Sequence, residues 1–114
     1  MNLKDAVYLQ HILDSIKDIE TSVGNLSKDR FQESKDIRDA CIRRIEIIGE
    51  AVKNLSQEIR DRNPIVEWKK IVGARDLMIH SYFRVDFEVV WDIITKNLLV
   101  LKKQVIEIKK SLEK

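Results

Sequence analysis

One cysteine, one proline and three glycines are all that this chain of 114 residues holds of the types that cross-link or break a backbone. A lone thiol, Cys41, excludes an intramolecular disulfide and a cysteine-built structural zinc site. Its neighbours Ala40 and Ile42 mark it as a small buried apolar side chain rather than a nucleophile. So few breakers leave little room for hairpins or disordered linkers. An excess of one charge is missing too: 21 Lys and Arg against 19 Asp and Glu leave a net charge of +2. That balance permits contact with nucleic acid without arguing for it. Apolar runs such as Leu98-Leu99-Val100-Leu101 are far too short to span a bilayer, and Met1 to Asp5 lacks the apolar core of a secretory signal. A soluble, cytoplasmic protein is expected. Also missing are a Gly-rich phosphate loop, a His pair at zinc spacing, a Ser-His-Asp pattern and a dense carboxylate cluster. Their absence counts against ATP-dependent and metal-dependent chemistry, so no cofactor and no metal are expected.

What is present is helical periodicity, in a chain that is 44% hydrophobic and 35% charged. Leu9, Ile12, Ile16, Ile19 and Val23 recur in three- and four-residue steps, and Gly24-Asn25 then supplies a stop. A second stripe runs Ile37, Cys41, Ile45, Ile48, Val52, Leu55 and Ile59. Asn63 is placed to cap the next helix, with Pro64 in its first turn. The third stripe is Trp68, Ile71, Arg75, Met78 and Tyr82. The fourth, opened by Asp86 as N-cap, runs Phe87, Trp91, Ile94, Leu98, Leu101, Val105, Ile108 and Leu112. Four helices with short connections predict an all-α, up-down four-helix bundle, with residues 1–114 as a single domain. The last stripe either covers this chain's own core or seeks a partner helix.

Arg75 and Tyr82 stand where the third stripe calls for apolar residues. Seven residues are almost two helical turns, so they share a face. A buried guanidinium needs partners, so Arg75 must open onto a cleft or meet an anion. Asp76 and His80, four apart on the adjacent stripe, can hydrogen-bond and so orient the imidazole. Gly73 is costly in a helix interior, which argues for close approach of another helix or of a phosphate backbone. His11 has no such company and is assigned to the surface or to helix packing. Glu46 reads as an ion pair with Arg43; Glu50 either pairs with Lys53 or faces the site.

These residue types suit RNA cleavage without a metal. Histidine moves the 2′-hydroxyl proton, arginine stabilises charge on the phosphate, and tyrosine stacks on a base or donates to a phosphate oxygen. One Arg and one His make a thin site. A two-fold homodimer would bring two of each into one cleft.

At the same residues the chain resembles the HEPN superfamily, whose signature is Arg, four to six residues, then His. It looks specifically like the HepT branch, where the motif reads Arg-x4-His-x-Tyr, here Arg75, His80 and Tyr82. Asp76 matches the polar residue usual after that Arg. The segments Arg43 to Ala51, ending Gly-Glu-Ala, Trp68 to Arg75, and Tyr82-Phe83 followed by Val89-Val90-Trp91 are similar to family segments in the same order. Ala74 replaces a frequent Met, and Pro64 followed by Trp68 replaces a Pro-Trp pair. The resemblance implies a dimeric endoribonuclease toxin of a type VII-like toxin–antitoxin system. Arg75 and His80 would be catalytic, with Asp76 and Tyr82 supporting. It also implies an MntA-type nucleotidyltransferase antitoxin that transfers AMP to the motif tyrosine, Tyr82. The alternatives are a catalytically inactive HEPN-like module that binds such a partner or nucleic acid, and a coiled-coil adaptor built on the last helix.

Overall fold

Leu9, Ile12, Ile16, Ile19 and Val23 are all buried along one side of helix α1 (Leu3–Val23), as their spacing requires. The computed structural model describes residues 3–80 and 86–113, the side chains of Ile79 and His80 excepted. Gly24 ends α1 in the left-handed region at φ 51°, where its N–H donates to the Glu20 carbonyl at 2.9 Å; only glycine takes that conformation without cost. A short helix α2 (Lys28–Glu33) follows, capped by the Ser27 hydroxyl, which accepts from the Arg30 N–H at 3.2 Å. Its one buried residue, Phe31, packs at a tilt against Phe87 and Trp91, with ring centroids 5.7 and 5.1 Å away.

The second stripe proves to be two helices. Helix α3 (Lys35–Lys53) stops where the Asn54 amide donates to the Glu50 carbonyl at 2.8 Å. Ser56 then caps α4 (Gln57–Arg62) by accepting from the Ile59 N–H. Side chains that hydrogen-bond nearby backbone compete with helix continuation, which is why the break falls here. Leu55 and Ile59 stay buried regardless, so apolar spacing continues across it. Asp5 secures the junction: its carboxylate, buried in α1, accepts from Ser56 N at 2.8 Å and Ser56 Oγ at 2.6 Å.

Asn63 and Pro64 do not open the next helix. Asn63 closes α4, with its amide donating to the Ile59 carbonyl. Its own carbonyl accepts from the Trp68 indole at 3.0 Å. That indole anchor holds the turn and delays the start of α5 (Trp68–His80). Asp86 caps α6 (Phe87–Asp92) as expected, accepting from the Glu88 N–H at 2.8 Å. One π-helical turn (Ile93–Asn97) then leads into α7 (Leu98–Leu112). The buried positions Val90, Ile94 and Leu98 are four apart twice, a lag that a wider turn absorbs.

Helix α1 packs between α3 and α7, and α3 packs on α5. Leu101, Val105 and Ile108 of α7 are buried in the same cluster as Leu9 and Ile16, so the last stripe covers this chain's own core. The four long helical segments form an all-α body of 44 × 28 × 21 Å. No helix among the described residues is long and apolar enough to cross a membrane.

Candidate active site

The crossing of α3 and α5 sets the position of Arg75. Gly49 of α3 is buried against it: a Cβ on Gly49 would lie 2.1 Å from the Arg75 Cβ and 3.3 Å from the Ile71 carbonyl oxygen. Without a side chain at 49 the two backbones meet, and the arginine lies flat against α3. The next residue on α3, Glu50, receives it, Nη2 to Oε2 at 2.9 Å. Asp76, the next residue on α5, takes Nη1 at 2.8 Å. The side chain is only 21% exposed, and its Nε is buried with no hydrogen-bond partner among the described residues. The bond to Asp76 holds the guanidinium pKa above its ordinary value, burial works against this, and Glu50 reinforces it. Arg75 is a fixed cation.

Both halves of the sequence expectation for Arg75 are met, since it faces anions and also a hollow. A cavity of about 340 Å³ is lined by Tyr8 and His11 of α1, Arg43, Glu46, Ile47, Glu50 and Ala51 of α3, and Arg75. Arg43 binds Glu46, Nη1 to Oε2 at 3.1 Å, the pairing read from their spacing. Glu50 faces the site. His11 is exposed, as assigned, but its ring meets Tyr8 edge to face, centroids 5.7 Å apart at 89°, on the wall of this hollow. Sequence reasoning missed that placement. The available signal was Tyr8 and His11 one turn apart beside the α1 stripe, facing a helix that repeats charge at 43, 46 and 50.

Helix α5 carries the backbone from Arg75 through His80. The His80 side chain and Tyr82 lie outside the described residues, and so does any Asp76–His80 hydrogen bond. Gly73 is exposed, and among the described residues no atom lies within 4 Å of a Cβ placed there, so it serves no helix contact among them. Among the described residues no three His, Cys, Asp or Glu side chains are grouped so as to hold a metal ion.

The described residues fold into helices and their connections, with Arg75 on the third long helix, and comparison with known proteins supplies the family. Residues 12–108 match the family model described as ribonuclease HepT-like. The chain belongs to that family, within the HEPN superfamily. It is 43% identical over 108 residues to "Gamma-glutamylcyclotransferase and putative RNase MJ0434" of Methanocaldococcus jannaschii, covering 95% of this chain and 49% of that protein. Identity to "Putative RNase TTE0752" of Caldanaerobacter subterraneus is 43% over 101 residues, covering 89% of this chain and 90% of the other. "Probable ribonuclease HepT" of Thermococcus cleftensis is 35% identical over 95 residues, covering 83% and 86%. The chain thus spans about half of the first relative and most of the other two. No solved structure matches.

Proposed function

We propose that this chain is a metal-independent endoribonuclease toxin in which Arg75 binds the scissile phosphate and His80 moves the proton. The observation that carries the reading is the fixed, charged Arg75 on the wall of an open hollow, in a chain of the ribonuclease HepT-like family. A base takes the 2′-hydroxyl proton and the 2′-oxygen attacks phosphorus. The bond to the 5′-oxygen breaks and that oxygen takes up a proton, leaving a cyclic phosphate. The Arg75 fork steadies the non-bridging oxygens as charge gathers there. Glu50 is displaced from one side of the fork when phosphate arrives, while Asp76 keeps hold of the other.

Proton removal and proton delivery need two groups, and one His80 supplies one. A homodimer that sets two copies of the motif in one cleft supplies both. An MntA-type nucleotidyltransferase antitoxin neutralises the toxin by transferring AMP from ATP to the Tyr82 hydroxyl, releasing pyrophosphate. The added phosphate and adenosine would occupy the cleft and offset the arginine charge. The test is cleavage of cellular RNA in EDTA by the wild type and by His80→Ala. Loss in the variant is expected; equal cleavage by both, or none by either, overturns the reading. Co-expression with the nucleotidyltransferase should add the mass of AMP to the wild type and not to Tyr82→Phe.

One observation favours a second reading, a non-catalytic binding module: both Nη groups of Arg75 are engaged within the chain. Toxicity on expression that Arg75→Ala abolishes without loss of folding decides for the enzyme.

A further inference from the structure

The motif accounts for one wall of the hollow beside Arg75. Its other walls, Tyr8, His11, Arg43 and Glu46, have no part in the proposed phosphate chemistry. We propose that this hollow is a nucleobase subsite, which takes the base flanking the phosphate at Arg75 and selects bases that carry an exocyclic amino group. The identity of the ligand as RNA rests on the ribonuclease reading; the shape and polarity of the site do not.

Size comes first. A volume of about 340 Å³ is at the small end for ligand sites, enough for one base and its sugar but not for a duplex. The base would therefore come from a single strand, where it can be splayed out and stacked. An aromatic wall is in place to receive it. Tyr8 and His11 hold each other edge to face, and His11 is exposed. Ile47 and Ala51 give the hollow an apolar floor. Stacking on such a wall favours no particular base.

Selection comes from the rim. Glu46 is a carboxylate held in place by Arg43 at 3.1 Å, and Glu50, paired with Arg75 at 2.9 Å, is left facing the hollow once phosphate takes its place on the fork. Ionised carboxylates only accept hydrogen bonds, so a base edge that meets them must donate. Adenine, cytosine and guanine each bring an amino group. Uracil has a single donor on that edge, N3–H, set between two carbonyl oxygens, so a carboxylate that reaches it meets oxygen on either side. Arg43 and Arg75 stand against Glu46, Glu50 and the Asp76 that holds Arg75, so the base edge, rather than bulk attraction for an anion, decides what enters.

The test titrates the full chain with the four nucleoside 3′-monophosphates and with inorganic phosphate, following the Tyr8 and His11 ring signals by NMR. Guanosine, adenosine and cytidine monophosphates are expected to move both rings and to saturate at about tenfold lower concentration than uridine monophosphate, the discrimination a base-edge contact supplies. Phosphate alone should leave the rings unmoved. Glu46→Gln, whose amide can donate to a carbonyl, should close most of that gap, and Tyr8→Phe should bind as the wild type does. Equal affinity for all four, or nucleotide binding that leaves both rings unmoved, overturns the proposal. RNA cleavage separates the two readings. Selective binding without cleavage removes the ribonuclease and leaves the subsite standing. Cleavage whose KM and base preference are unchanged in Tyr8→Ala and His11→Ala removes the subsite and leaves the ribonuclease.

Discussion

Replacing Gly49 by alanine adds one methyl group at the tightest point of the α3–α5 crossing. That carbon would lie 2.1 Å from the Arg75 Cβ and 2.7 Å from its Cγ. Non-bonded carbons rest about 3.5–4.0 Å apart, so the helices must part by roughly 1.5 Å or the arginine must swing away. Neither neighbour is the free end of a flexible chain, so the shift falls on backbone. Forcing extra volume into a packed contact costs about 1–3 kcal/mol. Alanine returns about 1 kcal/mol in helix propensity, leaving a net loss of up to about 2 kcal/mol. In thermal unfolding that lowers Tm by roughly 4–8 °C per kcal/mol. The effect on RNA cleavage should be larger than the effect on stability, because a 1 Å displacement of a catalytic group costs about 10²-fold. Gly73→Ala is the internal control. Among the described residues nothing lies within 4 Å of its added carbon, so it should stabilise by about 0.5–1 kcal/mol. The reasoning is refuted if Gly49→Ala melts at or above the wild-type temperature, or if the two variants rank the other way.

Further outcomes follow from single contacts. Asp5→Ala removes both hydrogen bonds to Ser56 and leaves that junction without its acceptor; a loss of about 1.5–3 kcal/mol is expected from denaturant titration. Burial pushes the Cys41 thiol from 9.0 up to about 11. A raised thiol pKa favours the protonated, folded form, so that contribution is complete below pH 9.0 and is lost as pH climbs through about 11. The native protein should accordingly resist alkylating reagents at neutral pH and react once unfolded. Glu50→Gln releases one side of the Arg75 fork, so inorganic phosphate should bind several-fold more tightly by calorimetry, while unchanged affinity would show that Glu50 does not compete.

Local signals were legible in the sequence, and the contacts made across helices were not. The α1 stripe and its Gly24 stop, the Asp86 cap and the burial of Cys41 all depend on neighbours within a turn or two, and the structure agrees with each. The break after α3 was hidden because Leu55 and Ile59 keep the apolar spacing through it, while its cause, Ser56 bound to Asp5, joins residues 51 apart. Asn63 reads as the cap of the next helix until the Trp68 indole is seen on its carbonyl. The site divides in the same way. Arg75 announces itself by breaking a stripe, and Asp76 is adjacent in sequence. That Glu50 pairs with Arg75 rather than with Lys53 needs the α3–α5 register that Gly49 permits. His11 has Tyr8 beside it one turn away on α1, but its place on the wall of the hollow follows only when α1 lies against α3.

The central claim is that Arg75 is the phosphate-binding group of a ribonuclease, and the single-turnover rate of RNA cleavage in EDTA tests it most directly. Arg75→Ala should cut about 10²–10³-fold more slowly than the wild type, the loss typical when one charge-stabilising donor is removed. Arg75→Lys should not restore the rate, since a point charge lacks the two-pronged fork. Circular dichroism should show the helices intact in both variants. Cleavage by folded Arg75→Ala at the wild-type rate would contradict the account.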